Sequence, residues 1–170
     1  MRTALLNRVL MHIVLDTNVL VSGLISAKAA PGRIVDLLRA GRITLVLDDR
    51  IFAEYSKVLA RPHLAPYFRK SEVSHILDYI SHCAYRVIVT ETIKGLPDPG
   101  DIPFLEVAWE ANKGTYDLVY NLAGALAESS GEPATTVPLV TGNGRHFPRG
   151  LYRGIMVLSP ADFVDSYSFP

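Results

Sequence analysis

Carboxylates stand at the places in this chain where they could do chemistry. Asp16 directly follows the run Ile13-Val14-Leu15, so it falls at the end of a candidate strand with little room to escape into solvent. Glu54 falls on a helical pattern whose apolar stripe is Ile51, Tyr55, Val58 and Leu59. At about 3.6 residues per turn it lies on the edge of that stripe, half-buried or facing a cleft. Asp101 precedes another helical pattern, at the end of the turn-rich stretch Leu96-Pro97-Asp98-Pro99-Gly100. Each has a plainer reading alone: Asp16 and Asp101 as helix N-caps, Glu54 as a solvated edge residue. Asp98 is the weaker candidate in its loop, because Pro99-Gly100 suggests that it serves a turn.

The combination changes the balance. Carboxylates gathered at one place repel each other, so a cluster of them is expected to hold a divalent cation. All-oxygen donors favour Mg²⁺ or Mn²⁺ over zinc. Such ions, bound to phosphate, activate a water and stabilise the leaving oxygen of an in-line displacement, and phosphodiester hydrolysis by this route needs no protein nucleophile. The stretch Thr141-Gly142-Asn143-Gly144-Arg145-His146-Phe147-Pro148-Arg149 is the candidate phosphate-contacting patch, since Arg145, Arg149 and Arg153 come with no acid between them. His146 and Phe147 could stack on a base; the plainer reading tucks Phe147 into the core and bonds His146 to the backbone. The metal route needs no general base from His146.

These side chains need elements to carry them. The β-branched run from His12 to Leu15 reads as strand one, with a helical pattern from Val19 to Ser26 after it. Pro31-Gly32 opens a second helix that ends at Gly41, and Ile43 to Leu47 is strand two. Asp48-Asp49 caps a third helix to about Leu59, a fourth follows from about Ser71 to Ala84, and Tyr85 to Thr90 is strand three. Helices are expected from Ile102 to Asn112 and around Tyr116 to Ala127, strands from Val137 to Thr141 and from Ile155 to Leu158, and a short helix near Pro160 to Asp165. Strands separated by helices imply an α/β fold, with a mostly parallel central sheet of about five strands covered on both faces. Ligands of such folds sit outside the carboxyl ends of the strands, where Asp16, the Asp98/Asp101 loop and Asn143 all fall.

The whole chain sets bounds. Its 170 residues, 49% hydrophobic, suffice for one substantial core and are short for two. Seventeen basic and seventeen acidic residues give a net charge of zero, so no long-range field draws the protein to nucleic acid. Cys83 has no partner in the chain and reads as a small buried hydrophobe. No stretch reaches the roughly 18 uninterrupted apolar residues of a membrane span. Residues 1–10 lack a signal-peptide pattern, and a cytoplasmic location with no membrane partner is the expectation.

With these pieces assembled, the chain resembles PIN domains, and among them the toxin components (VapC-like) of type II toxin–antitoxin systems. The resemblance is carried by IVLDTNVLVSGL (Ile13 to Leu24), the helix with Glu54 and Tyr55 followed by Val58-Leu59, DPGDIPFLEVA (Asp98 to Ala108) and VTGNGRHFP (Val140 to Pro148). It implies a three-layer α/β/α PIN-like fold over residues 11–170, with 1–10 as an extension and an insertion around 112–136. It implies Mg²⁺-dependent (or Mn²⁺-dependent) endoribonuclease activity on single-stranded RNA, with Asp16, Glu54 and Asp101 as catalytic, metal-binding acids. Asn143 would reach the metal through a water, and Thr17, Asn18, Arg145 and His146 would meet the substrate. A cognate antitoxin and a homodimer are the partners it implies besides RNA.

This sequence departs from the pattern at Asn143, where many PIN domains carry a fourth acid, at Arg145, where a second nearby acid is sometimes present, and at Gly100, where relatives often carry another aspartate. An amide can orient a metal-bound water but adds no negative charge. A catalytically weakened RNA- or protein-binding module is therefore the first alternative. The second is a haloacid-dehalogenase-like phosphatase with Asp16 as nucleophile; that chemistry wants an aspartate where Asn18 stands.

Overall fold

A computed structural model describes residues 11–113, 137–147, 150–152 and 154–166. The expected extension 1–10, nearly all of the expected 112–136 insertion with its helix from Tyr116 to Ala127, and Arg149 and Arg153 lie outside the described residues.

Strand β1 (Met11–Leu15) buries Ile13, Val14 and Leu15 completely, at 0% exposure each. Successive strand side chains point to opposite faces, so such a run needs cover on both. Strand β2 (Ile43–Leu47) has the same pattern of burial. With β3 (Tyr85–Arg86), β4 (Leu139–Val140), β5 (Gly150–Tyr152) and β6 (Ile155–Leu158), they form a six-stranded sheet in the order β3-β2-β1-β4-β6-β5. Every pairing is parallel except that of β5 with β6, which is antiparallel. The chain moves outward from β1 through β2 to β3, then returns to place β4 on the other flank of β1. That reversal makes a crevice between the carboxyl ends of β1 and β4, where α/β sheets bind ligands.

The helices are α1 (Thr17–Ile25), α2 (Ala30–Arg39), α3 (Asp49–Leu59), α4 (Lys70–Cys83), α5 (Ile102–Ala111) and α6 (Pro160–Ser166). All fall within about two residues of their sequence-based bounds, the ordinary uncertainty of helix ends. Helix α5 packs on β1, β2 and β4, while α2 packs on α1, β2 and α6. No helix among the described residues is long and apolar enough to cross a membrane.

Other expectations are corrected. Strand three stops at Arg86 instead of running to Thr90. Val87 N–H still reaches the Leu47 carbonyl at 3.1 Å, but Thr90 N–H goes to Glu110 Oε2 at 3.1 Å and Ile93 N–H to Glu106 Oε1 at 2.8 Å. Two carboxylates of α5 thus take donors that a longer strand would have offered to a neighbour. Strand β5 was not expected; it is short, begins at a glycine, and turns back onto β6 through Gly154 at φ 82°. Cys83 is exposed, at the end of α4. Phe147 is buried, which leaves it no face for stacking on a base.

The α1–α2 contact depends on glycine. A Cβ on Gly23 would stand 2.4 Å from the Pro31 carbonyl oxygen and 2.5 Å from Val35 Cγ2. Gly23→Ala should therefore destabilise the protein by about 1–3 kcal/mol, read from the denaturant midpoint. An unchanged midpoint would mean that the two helices are not packed this closely.

Candidate metal centre

Leu15 and Val140 are register partners at the ends of β1 and β4. The next residues, Asp16 and Thr141, therefore meet side by side, and Thr141 Oγ1 donates to Asp16 Oδ2 at 2.6 Å. Asp16 Oδ1 accepts from Asn18 N–H at 2.9 Å, so the same carboxylate caps α1. Capping does not compete with metal binding, because each oxygen keeps a lone pair. These bonds also let a carboxylate sit at 4% exposure, where an unpaired one would be costly.

Helix α3 delivers Glu54. Its start is fixed just after β2 by Asp48, which accepts from Arg50 N–H at 3.0 Å and Ile51 N–H at 3.1 Å. Tyr55, fully buried, donates its hydroxyl to the Leu15 carbonyl at 2.5 Å and so ties α3 to the end of β1. Beside it, Glu54 Oε1 accepts from the Thr17 hydroxyl at 2.6 Å. Burial, then the charges of Asp16 and Glu54, push the Tyr55 phenol well above its ordinary range, which keeps it a neutral donor.

Asp101 arrives from the loop before α5. Asp98 takes the turn role expected of it, accepting from Gly100 N–H at 2.8 Å. Asp101 makes no capping bond; its Oδ2 meets His146 Nδ1 instead. Asn143 Nδ2 lies 2.7 Å from the same ring nitrogen, and Asn143 N–H donates to Thr141 Oγ1 at 3.0 Å. One hydroxyl therefore joins the Asn143 turn to Asp16. Burial first, and then the charges of Asp16 and Asp98, raise the Asp101 carboxyl above its ordinary range, although the contact with His146 works the other way. The charges of Asp16 and Asp98 are thus felt at Asp101. Ligand atoms of Asp98, Asp101 and His146 all lie within 4.8 Å of one another, an arrangement that could hold a metal ion.

The fold thus brings Asp101, Asn143 and His146 together beside Asp16, with Glu54 joined through Thr17 and Tyr55. Thr17 is 2% exposed and commits its hydroxyl to Glu54, so its place is to orient that acid. Asn18 and Arg145 are exposed. A PIN domain family model matches residues 12–114, more than half of the chain. The chain belongs to the PIN-domain family. No curated protein and no solved structure matches it. PIN domains are generally metal-dependent nucleases, and among the described residues of this one the group that could hold a metal ion is Asp98, Asp101 and His146; Asp16 and Glu54 are not part of it. The matched range holds Asp16, Glu54, Asp98 and Asp101 and ends before Asn143 and His146.

Sequence reasoning missed Thr141 as the partner of Asp16, because the register of β1 on β4 is not written in either strand. It also set Asp98 aside, whereas its carboxylate both serves the turn and faces Asp101 and His146. A separate cleft of about 510 Å³ opens at the ends of β2 and β3, lined by Asp48, Arg50, Arg86 and Glu106 among others. None of Asp16, Glu54 and Asp101 lines it, and its arginines are engaged: Arg50 with Asp48 at 2.7 Å and Glu106 at 2.6 Å, Arg86 with Asp49 at 2.5 Å. It reads as a structural network in the PIN domain.

Two expectations follow from this geometry. Thr17→Val keeps the shape and removes the hydroxyl that orients Glu54, so Mn²⁺ affinity measured by calorimetry should fall by about tenfold or more. An acid with a raised folded pKa binds its proton more tightly folded than unfolded. The metal-free PIN domain should therefore lose stability as pH rises from the ordinary value of 3.8 through the raised one. Asp101→Asn removes this contribution, so in EDTA its melting temperature should gain on the wild type's over that rise. A constant difference between the two proteins would contradict the crowding of Asp101.

Proposed function

We propose that the protein is a metal-dependent endoribonuclease that cuts single-stranded RNA and is the toxin half of a toxin–antitoxin pair. The observation that supports this reading is a cluster of Asp98, Asp101 and His146 able to hold a metal at the crevice of a PIN domain, with Asp16 held nearby by Thr141 and Glu54 by Thr17. These acids would hold Mg²⁺ or Mn²⁺, with Asn143 reaching the ion through a water. When bound, the metal supplies an activated water and offsets charge at the scissile phosphate.

The chain's own part is positioning. Thr141 and Thr17 fix the carboxylates of Asp16 and Glu54, and Tyr55 pins the strand end between them. Exposed Arg145 suits bidentate contact with an RNA phosphate, and exposed Asn18, next to the cap of α1, suits a contact with the same strand. With zero net charge, attraction to RNA has to come from such local groups. A cognate antitoxin would hold the activity in check by covering this crevice, and a homodimer and a cytoplasmic location belong to the same reading.

The second reading, a weakened binding module, draws on one observation: the Asn143 side chain at the crevice is an amide, directed at His146. Family membership lends the phosphatase reading no support.

Incubation of purified protein with labelled single-stranded RNA, in Mg²⁺, in Mn²⁺ and in EDTA, separates the first two. Cleavage should need the metal and should fall by about a hundredfold or more in Asp16→Asn. RNA bound but left intact under either metal would sink the nuclease reading in favour of the binding module. The toxin role is read separately: expression without a partner should arrest growth for the wild type and not for Asp16→Asn.

A further inference from the structure

We propose that His146 is itself a ligand of the metal in this centre, through Nδ1, so that the donor set contains nitrogen and the site takes Mn²⁺ in preference to Mg²⁺. This rests on the metal site of the nuclease reading, and on neither its RNA substrate nor its toxin role.

The ring is placed for the task. Its Nδ1 faces the acids, in contact with Asp101 Oδ2, with the Asn143 amide nitrogen at 2.7 Å. It is also anchored: the N–H groups of His146 and Phe147 reach the Asn143 carbonyl at 3.3 and 3.2 Å, and the Phe147 side chain is 1% exposed in the core. The backbone beneath the ring is thus fixed, and its contacts with Asp101 and Asn143 set the direction in which the ring points.

Nδ1 offers either one proton or one lone pair. Against a carboxylate oxygen, something positive has to lie between the two, and a cation can take the place of the proton. The Asp98 carboxylate makes the third corner of a group whose ligand atoms span no more than 4.8 Å. Donors bound to one ion at about 2.0–2.2 Å stand at most about 4.4 Å apart, so a few tenths of an ångström close the set. A turn bond from Gly100 holds Asp98 there and leaves the second oxygen of its carboxylate available.

Donor chemistry then selects the ion. Mg²⁺ keeps to oxygen ligands and gives up its waters reluctantly, whereas imidazole nitrogen suits first-row transition ions. Carboxylates in the majority with a single imidazole suit Mn²⁺, the hardest ion of that row.

The test uses the full chain with Mn²⁺ alone, read by EPR. Continuous-wave spectra measure bound Mn²⁺, and pulsed spectra of the same samples detect coupling to a ligand nitrogen. The wild type should show this coupling, and ¹⁵N-histidine labelling should change its frequency. In His146→Ala it should vanish, with Mn²⁺ binding weaker by about tenfold and the advantage over competing Mg²⁺ reduced. Where circular dichroism shows that the alanine variant fails to fold, His146→Gln takes its place. Coupling that survives the loss of His146 overturns the proposal in favour of another nitrogen donor; Mn²⁺ bound without nitrogen coupling overturns it and leaves an oxygen-held metal site standing. A wild type that binds no Mn²⁺ overturns both.

Discussion

A carboxylate can be buried at the end of a strand only if both of its oxygens are bonded, and Asp16 is bonded from two directions. One bond comes from its own chain, the Asn18 N–H at the start of α1; the other comes from Thr141, 125 residues away, on the neighbouring strand. The second exists only because β4 lies parallel to β1 in a register that ends both strands at the same level. Slipping that register by one residue would turn Thr141 to the opposite face and leave Asp16 half-satisfied. The remaining parts of the centre attach to this pair: Asn143 through the Thr141 hydroxyl, and Glu54 through Thr17, the residue after Asp16.

Around this anchor the fold separates acids by their neighbours. Glu106 and Glu110 are buried too, yet their oxygens are occupied by Arg50, Ile93 N–H and Thr90. They hold the chain between β3 and α5 in place. The guanidinium of Arg50 is raised in pKa by its bonds to Asp48 and Glu106, which outweigh its partial burial, so it remains a cation there. Among the described residues, neither Asp98 nor Asp101 is paired with an arginine or lysine. Their mutual repulsion is offset by one imidazole, and a centre so balanced is prepared to accept positive charge.

Rigidity at the crevice comes from groups that touch no metal. Tyr55 spans from α3 to the last carbonyl of β1, and its neutrality is secured first by burial and then by the charges of Asp16 and Glu54. Asn112 does similar work on the far side of the sheet edge, pairing its side-chain amide with both the N–H and the carbonyl of Val137 at the approach to β4. Side chains here take over backbone pairing where the strands run out, which lets short strands such as β4 keep their position.

Much of the centre could be read from the chain because strand ends and helix starts are local events. An apolar run that stops at Asp16, the stripe of α3 with Glu54 on its edge, and the turn before α5 all announce themselves within a few residues. Helix bounds were legible for the same reason. Strand three was overestimated and β5 overlooked, since a strand's extent depends on what it pairs with, and Glu106 and Glu110 intercept the donors of the one while β6 supplies the partner of the other. Cys83 was misjudged because burial at a helix end is set by neighbouring elements. What the sequence by itself determined is which residues are acidic, apolar or helix-forming and at what local spacing. Only the tertiary structure decided which carboxylate meets a distant arginine, threonine or histidine, because those contacts join residues far apart in the chain through the sheet and the helices and loops packed at its edge.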